Sequence, residues 1–143
     1  APPVRGLRPV AAVAPGVAAA TGLSLQQLAA ALVGQLHPAA VICVDSLCSA
    51  EGQRLGRTVQ FSDTGLYPAQ ADHTRHLTRD TLGVPVVAAG IPTLMQAQEG
   101  ADLVVTPRAL DSVIAHGAAL LAGSVNRALQ PRLTVQQLCW LTG

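Results

Sequence analysis

The chain comprises 143 residues, half of them apolar, and carries a formal net charge of +1 at pH 7. That length suits one domain with a sizeable core, and we expect a single domain over 1–143. The basic residues are nine scattered arginines, and Phe, Tyr and Trp occur once each. Nucleic-acid-binding surfaces combine clustered positive charge with stacking rings, so direct nucleic acid binding is not expected. No apolar run reaches the roughly 18 residues of a membrane span, so we expect no membrane contact.

Three cysteines, Cys43, Cys48 and Cys139, form no CxxC pair. An odd number of cysteines without disulfide-like spacing is typical of proteins in a reducing compartment. We therefore expect a cytoplasmic protein without disulfides. Cys48 is predicted to be a small buried residue rather than a nucleophile, because no histidine is tied to it in the sequence.

The first part of the chain predicts two strands with a helix between them. The segment "RPVAAVAPG" (8–16) has the apolar content of a strand that runs into a Pro-Gly turn. The segment "SLQQLAAALVGQLHP" (24–38) predicts a helix that starts with an S-x-x-Q capping box and ends at a proline. The second strand, "AVICVD" (40–45), places the carboxylate of Asp45 at its end.

The rest of the chain predicts three more strands and two helices. The segment "RTVQFSD" (57–63) alternates as a half-buried strand does, "VPVVAAG" (84–90) is continuously apolar, and "DLVVT" (102–106) is short. The longest helix is predicted to follow, with Thr106 as its N-cap and Pro107 at its first position. A last helix, "TVQQLCWL", begins with a second capping box.

Strands and helices alternate along the sequence, which predicts an α/β fold. We expect a mostly parallel sheet sandwiched between helices in three layers. The segments "VICVD" and "VPVVAAG" are expected to be interior parallel strands, because continuous apolar runs are typical of strands that are covered on both faces.

Two aspartates, Asp45 and Asp63, each end a predicted strand. In α/β sheets, catalytic groups gather at the carboxyl ends of strands. Two neighbouring carboxylates can hold one proton between them and so provide a base and an acid for hydrolysis. The alternative is that each aspartate caps a turn by accepting hydrogen bonds from backbone N–H groups, since "DSLCS" and "SDTG" are good capping sequences.

A metal site is the other chemistry that the polar residues suggest. Asp72, His73 and His76 have a spacing that metal ligands can adopt. Spacings of this kind also arise by chance in loops, so we interpret these side chains as solvated loop residues and predict no bound metal and no cofactor. His37 and His116 are predicted to be structural.

Five segments are notable for their order as well as their content. They are "APGV…TG" (14–22), "HPAAVICVDSLCS" (37–49), "RTVQFSDTGLYP" (57–68), "TLGVPVVAAGIPT" (81–93) and "VTPRALD" (105–111). In this order they resemble the germination protease family, the endopeptidases that degrade small acid-soluble proteins in germinating bacterial spores. The resemblance implies an α/β fold similar to that of the hydrogenase-maturation peptidases, synthesis as an inactive precursor, and a location in the spore core. We further expect a homo-oligomer.

The resemblance also implies an aspartic-type mechanism that uses two aspartates. Asp45, in "ICVDSL", matches one of them. The other belongs to an "N-x-T-P-D" motif upstream of these segments, and no such motif occurs here. The chain thus resembles the C-terminal part of such a protease, and in isolation it is expected to be inactive. Our predicted catalytic residues are Asp45 and Asp63, the two strand-end acids.

Two alternatives remain open at this point. After "SDTGLYP" the family has a glycine-rich basic loop, whereas this chain has "AQADHTRH". Glycine permits a close backbone approach to a ligand, so this loss is compatible with a non-catalytic binding or assembly domain of the same fold. A metal-dependent maturation-type peptidase is the second alternative.

Overall fold

A computed structural model describes residues 6–16, 22–67, 76–96 and 104–142. Four helices and four strands are present in these ranges, together with a 3-10 turn over Gly52–Arg54. The elements are α1 (Leu25–Leu36), β1 (Val41–Ser49), β2 (Gln60–Ser62), α2 (Arg79–Leu82), β3 (Val86–Gln96), β4 (Val104–Val105), α3 (Leu110–Leu129) and α4 (Val135–Thr142). The predicted α/β class is confirmed.

The sheet is organised around β3, which pairs with all three other strands. β1 runs parallel to β3, whereas β2 and β4 pair with it in the antiparallel sense. The sheet is therefore mixed, and the prediction of a mostly parallel sheet is wrong for the described part of the chain. The seven residues between β3 and β4 are too few for the crossover of a dozen or more residues that a parallel pairing requires, whereas the 23 residues between β2 and β3 are enough for either direction.

β3 is the interior strand that "VPVVAAG" predicted, and it continues six residues further, to Gln96. The same prediction for "VICVD" is wrong, because β1 lies at the edge of the described sheet. The two apolar runs look alike in sequence, but Val44 in β1 is 55% exposed and Val86 in β3 is 2% exposed. Apolar content therefore did not distinguish an edge strand from a central one.

α1 covers the face of the sheet on which the main hydrophobic cluster lies. Leu25, Ala29 and Val33 of α1 pack against this cluster. Its buried members are Cys43, Leu66, Leu77, Leu82, Val86 and Ala88. The predicted capping box is present, since the Ser24 backbone N–H donates to the Gln27 side chain (2.9 Å) and the Gln27 N–H donates to the Ser24 hydroxyl (3.2 Å). α1 is therefore fixed at its start by local hydrogen bonds and along its length by packing.

α3 begins later than its sequence predicts. Its first residue is Leu110, and no side chain caps it, so the assignment of Thr106 and Pro107 to its start is wrong. Further along α3, Gly117 lies against β3, because a Cβ atom on Gly117 would collide with the side chain of Ile91. The capping box predicted for α4 is confirmed by paired hydrogen bonds between Thr134 and Gln137.

The strand predicted for 8–16 does not form. Residues 7–16 have no regular secondary structure and are almost all exposed. Pro9 and Pro15 lack the backbone N–H that a sheet ladder requires, which explains why the apolar content of this segment misled the prediction. The segment is held instead by Gln130, whose side chain exchanges two hydrogen bonds of 2.8 Å with the Arg8 backbone.

Candidate active site around Asp45

Asp45 lies in the middle of β1, not at its end as predicted. The strand continues for four more residues, to Ser49, and Asp45 pairs with Gly90 of β3. The Asp45 side chain is exposed, and its Oδ1 accepts a hydrogen bond of 2.8 Å from the backbone N–H of Ser46. This is a local backbone contact of the kind that the capping alternative anticipated, but it occurs within a strand rather than in a turn.

Gly90 allows the two strands to approach closely beside Asp45. A Cβ atom at this position would collide with the backbone oxygen of Asp45 and would lie 2.7 Å from Cγ of Leu47. Real Cβ atoms do not make such contacts, so any other residue would force β1 and β3 apart. The glycine in "VPVVAAG" therefore sets the position of Asp45.

The outer side of β1 is open in the described part of the chain. The Val41 N–H donates to the Pro85 carbonyl (2.9 Å). In a parallel ladder the backbone groups of alternate residues point to the same side. Ile42, Val44 and Ser46 therefore direct their N–H and C=O groups away from β3. The Asp45 carboxylate satisfies one of these N–H groups, that of Ser46.

Cys43 lies two residues before Asp45 and is buried in the main cluster. Burial raises the pKa of its thiol, and the negative charge of Asp45 raises this pKa further. The thiol is thus kept neutral, which makes it a poor nucleophile. Cys48 is exposed, so its predicted burial is wrong.

Asp63 follows β2 directly and is exposed. Across β3, the residue in line with Asp45 is Gln60, and Asp63 lies three positions beyond it. Three residues along a strand span about 10 Å and two strand spacings span about 10 Å, so the Cα atoms of the two aspartates lie about 14 Å apart. The sheet does not bring Asp45 and Asp63 together around one water molecule.

The "SDTG" turn depends on residues other than Asp63. The Ser62 hydroxyl accepts a hydrogen bond from the Thr64 N–H (3.2 Å). Gly65 has a positive φ of 111°, and a Cβ atom there would collide with the Leu77 carbonyl oxygen. That oxygen accepts a hydrogen bond of 2.9 Å from the Leu66 N–H. The turn thus joins Leu66 to Leu77, the segments before and after the sequence "AQADHTRH".

Of the three candidate metal ligands, the structure describes His76. Asp72 and His73 lie outside the described residues, and the His76 ring contacts Tyr67 edge to face at 4.9 Å between centroids. Over the described ranges, no three His, Cys, Asp or Glu residues are grouped as metal ligands. His37 adopts a left-handed conformation at the end of α1, and His116 Nδ1 lies 2.7 Å from the Ser112 carbonyl oxygen in α3. Both are exposed, and their structural role stays a prediction.

One feature that the sequence did not reveal is an open cleft of about 310 Å³ beside α3. Its lining includes Arg57, Ile91 and His116. Because side chains alternate along a strand, Ile91 belongs to the face of β3 opposite to that of Gly90. The cleft and Asp45 are therefore on different faces of the sheet.

Among the helices that the structure describes, none combines the length and apolar content required to cross a bilayer.

The region that contains Asp45 is similar to known germination proteases. A family model described as germination protease matches residues 4–99. The germination protease of Clostridium perfringens (strain ATCC 13124) is 28% identical over 180 aligned positions, which include 92% of this chain and 55% of the relative. That of Halalkalibacterium halodurans is 39% identical over 113 positions, 78% of this chain and 29% of the relative. That of Bacillus subtilis (strain 168) is 40% identical over 94 positions, 64% of this chain and 26% of the relative.

The chain spans about half or less of the length of these relatives. The alignment with the C. perfringens protein is longer than the 143-residue chain itself, so this relative contains segments without a counterpart here. The family match includes Asp45, Asp63 and Gly90 and ends before α3 and α4. The family model therefore matches three of the four strands and the first two helices, and it does not include β4, α3 or α4.

Proposed function

Because the chain belongs to the germination protease family, we propose that it forms part of an aspartic-type endopeptidase and supplies the carboxylate of Asp45 to the active site. The observation that carries the proposal is the exposed Asp45 carboxylate on the open edge of the sheet, within the region that the family model matches. In a site of this kind one ionised carboxylate activates a water molecule, while a protonated one polarises the scissile carbonyl.

The partner of Asp45 in this mechanism comes from outside the chain. Two acids that share a water must approach within a few ångströms, because only close like charges separate their pKa values. At about 14 Å, Asp63 is too distant for this role in the described arrangement. We therefore assign the second acid to the part of the protease that this chain does not include. Asp63 remains a proposed catalytic residue on the basis of its motif alone. The cleavage rate of an Asp63→Asn variant tests this role.

The wider setting of the enzyme follows from the same proposal. Its substrates are small acid-soluble spore proteins, which it hydrolyses in the cytoplasm of the spore core during germination. It is made as an inactive precursor, acts as a homo-oligomer, and needs no cofactor. In the complete protein the sheet is covered by helices on both faces, in the three-layer arrangement of the hydrogenase-maturation peptidases.

The test compares the complete protease that contains these residues with the isolated 143-residue chain. We expect the complete protein to cleave a purified small acid-soluble spore protein and the isolated chain to show no measurable cleavage, because it holds one acid of the pair. Cleavage by the isolated chain that is abolished by Asp63→Asn would contradict the assignment, since it would make Asp45 and Asp63 the working pair.

A non-catalytic binding or assembly domain is the second candidate. It is favoured by the separation of Asp45 from Asp63 and by the hydrogen bond that occupies the Asp45 carboxylate. This candidate predicts that the complete protein also fails to cleave spore proteins while still binding its partner. The same cleavage assay therefore distinguishes the two.

A further inference from the structure

The outer edge of β1 has no partner strand in the part of the chain that the structure describes. β1 is nine residues long and pairs on one side only, with β3. Free N–H and C=O groups on such an edge recruit another strand, and proteins usually block them with lysine, proline or a covering segment. The segment 41–47 contains neither lysine nor proline, and residues 44–46 are exposed. The residues of β1 therefore do not protect this edge themselves.

Two observations indicate that polypeptide from outside this chain reaches the β1 edge. The chain spans about half or less of its germination protease relatives, so these relatives contain polypeptide without a counterpart here. The proposed mechanism also requires a second carboxylate within a few ångströms of Asp45, and Asp63 lies about 14 Å away. The additional polypeptide must therefore approach β1 at Asp45.

We propose that the remaining part of the protease adds a strand to the outer edge of β1 and that this strand carries the second acid, a proposal that rests on the peptidase function above. Neighbouring strands lie about 4.8 Å apart, so a residue beside Asp45 on the added strand comes within the required distance. Residues directly opposite each other in a sheet direct their side chains to the same face. The two carboxylates therefore meet on one face and can bind one water molecule between them.

A strand fits this edge better than a helix does. The outward N–H and C=O groups of Ile42, Val44 and Ser46 require backbone partners at the spacing of a sheet ladder. The backbone groups of a helix are already bonded within the helix, whereas those of an extended segment are free to pair. The occupant is therefore an extended segment that is held chiefly through its backbone.

The hydrogen bond between Asp45 and Ser46 changes when this strand is added. In the described chain, Asp45 Oδ1 accepts the Ser46 N–H at 2.8 Å. A backbone carbonyl of the added strand takes over this N–H, as in any sheet ladder, and releases the carboxylate. Both Asp45 oxygens can then contact the water molecule and the second acid. The added strand thus supplies one acid and frees the other.

The edge has room for one strand, so its possible occupants exclude one another. A second copy of the chain, or a substrate segment, that paired with β1 along its whole length would leave no place beside Asp45 for the second acid. The proposed mechanism therefore favours a strand of the protease itself at this position.

The test measures hydrogen exchange at single amide groups of β1 in the complete protease. The N–H groups of Val44 and Ser46 point outward. Those of Cys43 and Asp45 point toward β3 and serve as internal controls. We expect the outward groups to exchange within about tenfold of the rate of the inward ones, because N–H groups that are paired within one sheet open together.

Val44→Pro in the complete protease gives a second measurement. This change removes an outward N–H without removing a hydrogen bond to β3, and we expect the melting temperature to fall by about 6 °C or more. Val135→Pro is the matched control, because Val135 is the exposed first residue of α4, where proline is tolerated. Val44→Thr retains the N–H and a similar shape. Both controls should melt within about 2 °C of the original protein.

Four results would overturn the added strand. The first is exchange at Val44 and Ser46 at least about a hundredfold faster than at Cys43 in the complete protease. The second is an equally small change in melting temperature for Val44→Pro and Val135→Pro, because proline is tolerated on a free edge strand. The third is a dimer that Val44→Pro dissociates in sedimentation, which would place a second copy at the edge. The fourth is equally slow exchange at Val44 in the 143-residue chain alone, because the covering segment would then belong to this chain.

Failure of the peptidase function has a different result. A complete protein that does not cleave spore proteins but exchanges slowly at Val44 would contradict the function and leave the added strand in place. A complete protein that cleaves them but exchanges rapidly at Val44 and Ser46 would contradict the added strand alone.

Discussion

β1 and β3 are adjacent parallel strands with similar apolar sequences, but their environments differ. β3 is paired on both sides, and from Val86 to Gly90 four of its five residues are buried. β1 is paired on one side, and residues 44–46 at its centre are all exposed. The difference shows that β3 belongs to the core, and we propose that β1 presents functional groups. The following predictions test that division.

The largest effect is expected at the contact between the two strands. Gly90→Ala places a Cβ atom against the Asp45 backbone oxygen and the Leu47 side chain, and overpacking of this kind costs about 2–3 kcal/mol. Urea unfolding of the 143-residue chain measures the loss.

The control for this experiment is Gly34→Ala. Gly34 lies in α1, and a Cβ atom there meets nothing within 4 Å. This change should stabilise the chain by about 0.5–1 kcal/mol, since alanine restricts the unfolded chain and favours the helix. A Gly90→Ala variant as stable as Gly34→Ala would show that the strands are not in close contact at Asp45.

A smaller effect is expected when one valine on each strand is truncated. Val86→Ala removes two methyl groups from a side chain that is 2% exposed, and the lost burial and the resulting cavity should cost about 2 kcal/mol. Val44→Ala changes a side chain that is 55% exposed and should cost less than about 0.5 kcal/mol. Equal losses in urea unfolding would mean that the β1 edge is covered in solution.

The smallest effect concerns Cys43. Burial and the Asp45 charge raise the pKa of its thiol in the folded chain, so the folded state holds this proton more tightly than the unfolded state. The resulting stabilisation is complete below the pKa of an unfolded cysteine, about 8.5, and is lost as the pH rises above it. We expect the free energy of unfolding to fall more between pH 7 and pH 9.5 in the original chain than in Cys43→Ala.

Thiol labelling gives an independent measure of the same group. Exposed Cys48 and Cys139 should react quickly with an aromatic disulfide reagent, and buried Cys43 should react only after local opening. Asp45→Asn should accelerate labelling of Cys43, because it removes the charge that helps to keep the thiol neutral. Identical rates at Cys43 and Cys48 would contradict the burial of Cys43.

The sequence was most informative where local chemistry decides structure. The capping boxes of α1 and α4 were predicted and are present, because each depends on two residues three positions apart. The strand predicted for 8–16 failed because its prolines outweigh its apolar content. The start of α3 was misplaced because Thr106 and Pro107 have the local character of a helix start but lie in the connection that precedes it.

The candidate site was predictable in part. Asp45 was identified from its place after an apolar run and from its motif, but its position within an edge strand depends on pairing with Gly90, which lies 45 residues further along the chain. The same long-range pairing separates Asp63 from Asp45. Register and strand order are set by contacts between distant segments, and the local pattern of one strand does not specify them.

The most direct test of the central claim is Asp45→Asn in the complete protease, with the cleavage rate and the melting temperature measured on the same samples. Asparagine retains an oxygen that can accept the Ser46 N–H. We therefore expect the melting temperature to change by less than about 4 °C, since a loss of about 1 kcal/mol shifts it by about 2–4 °C in a domain of about 150–250 residues. The loss of the charge should lower the rate of cleavage of a small acid-soluble spore protein by about a thousandfold or more. Cleavage at close to the original rate by a folded Asp45→Asn protein would contradict the assignment of Asp45 as a catalytic carboxylate.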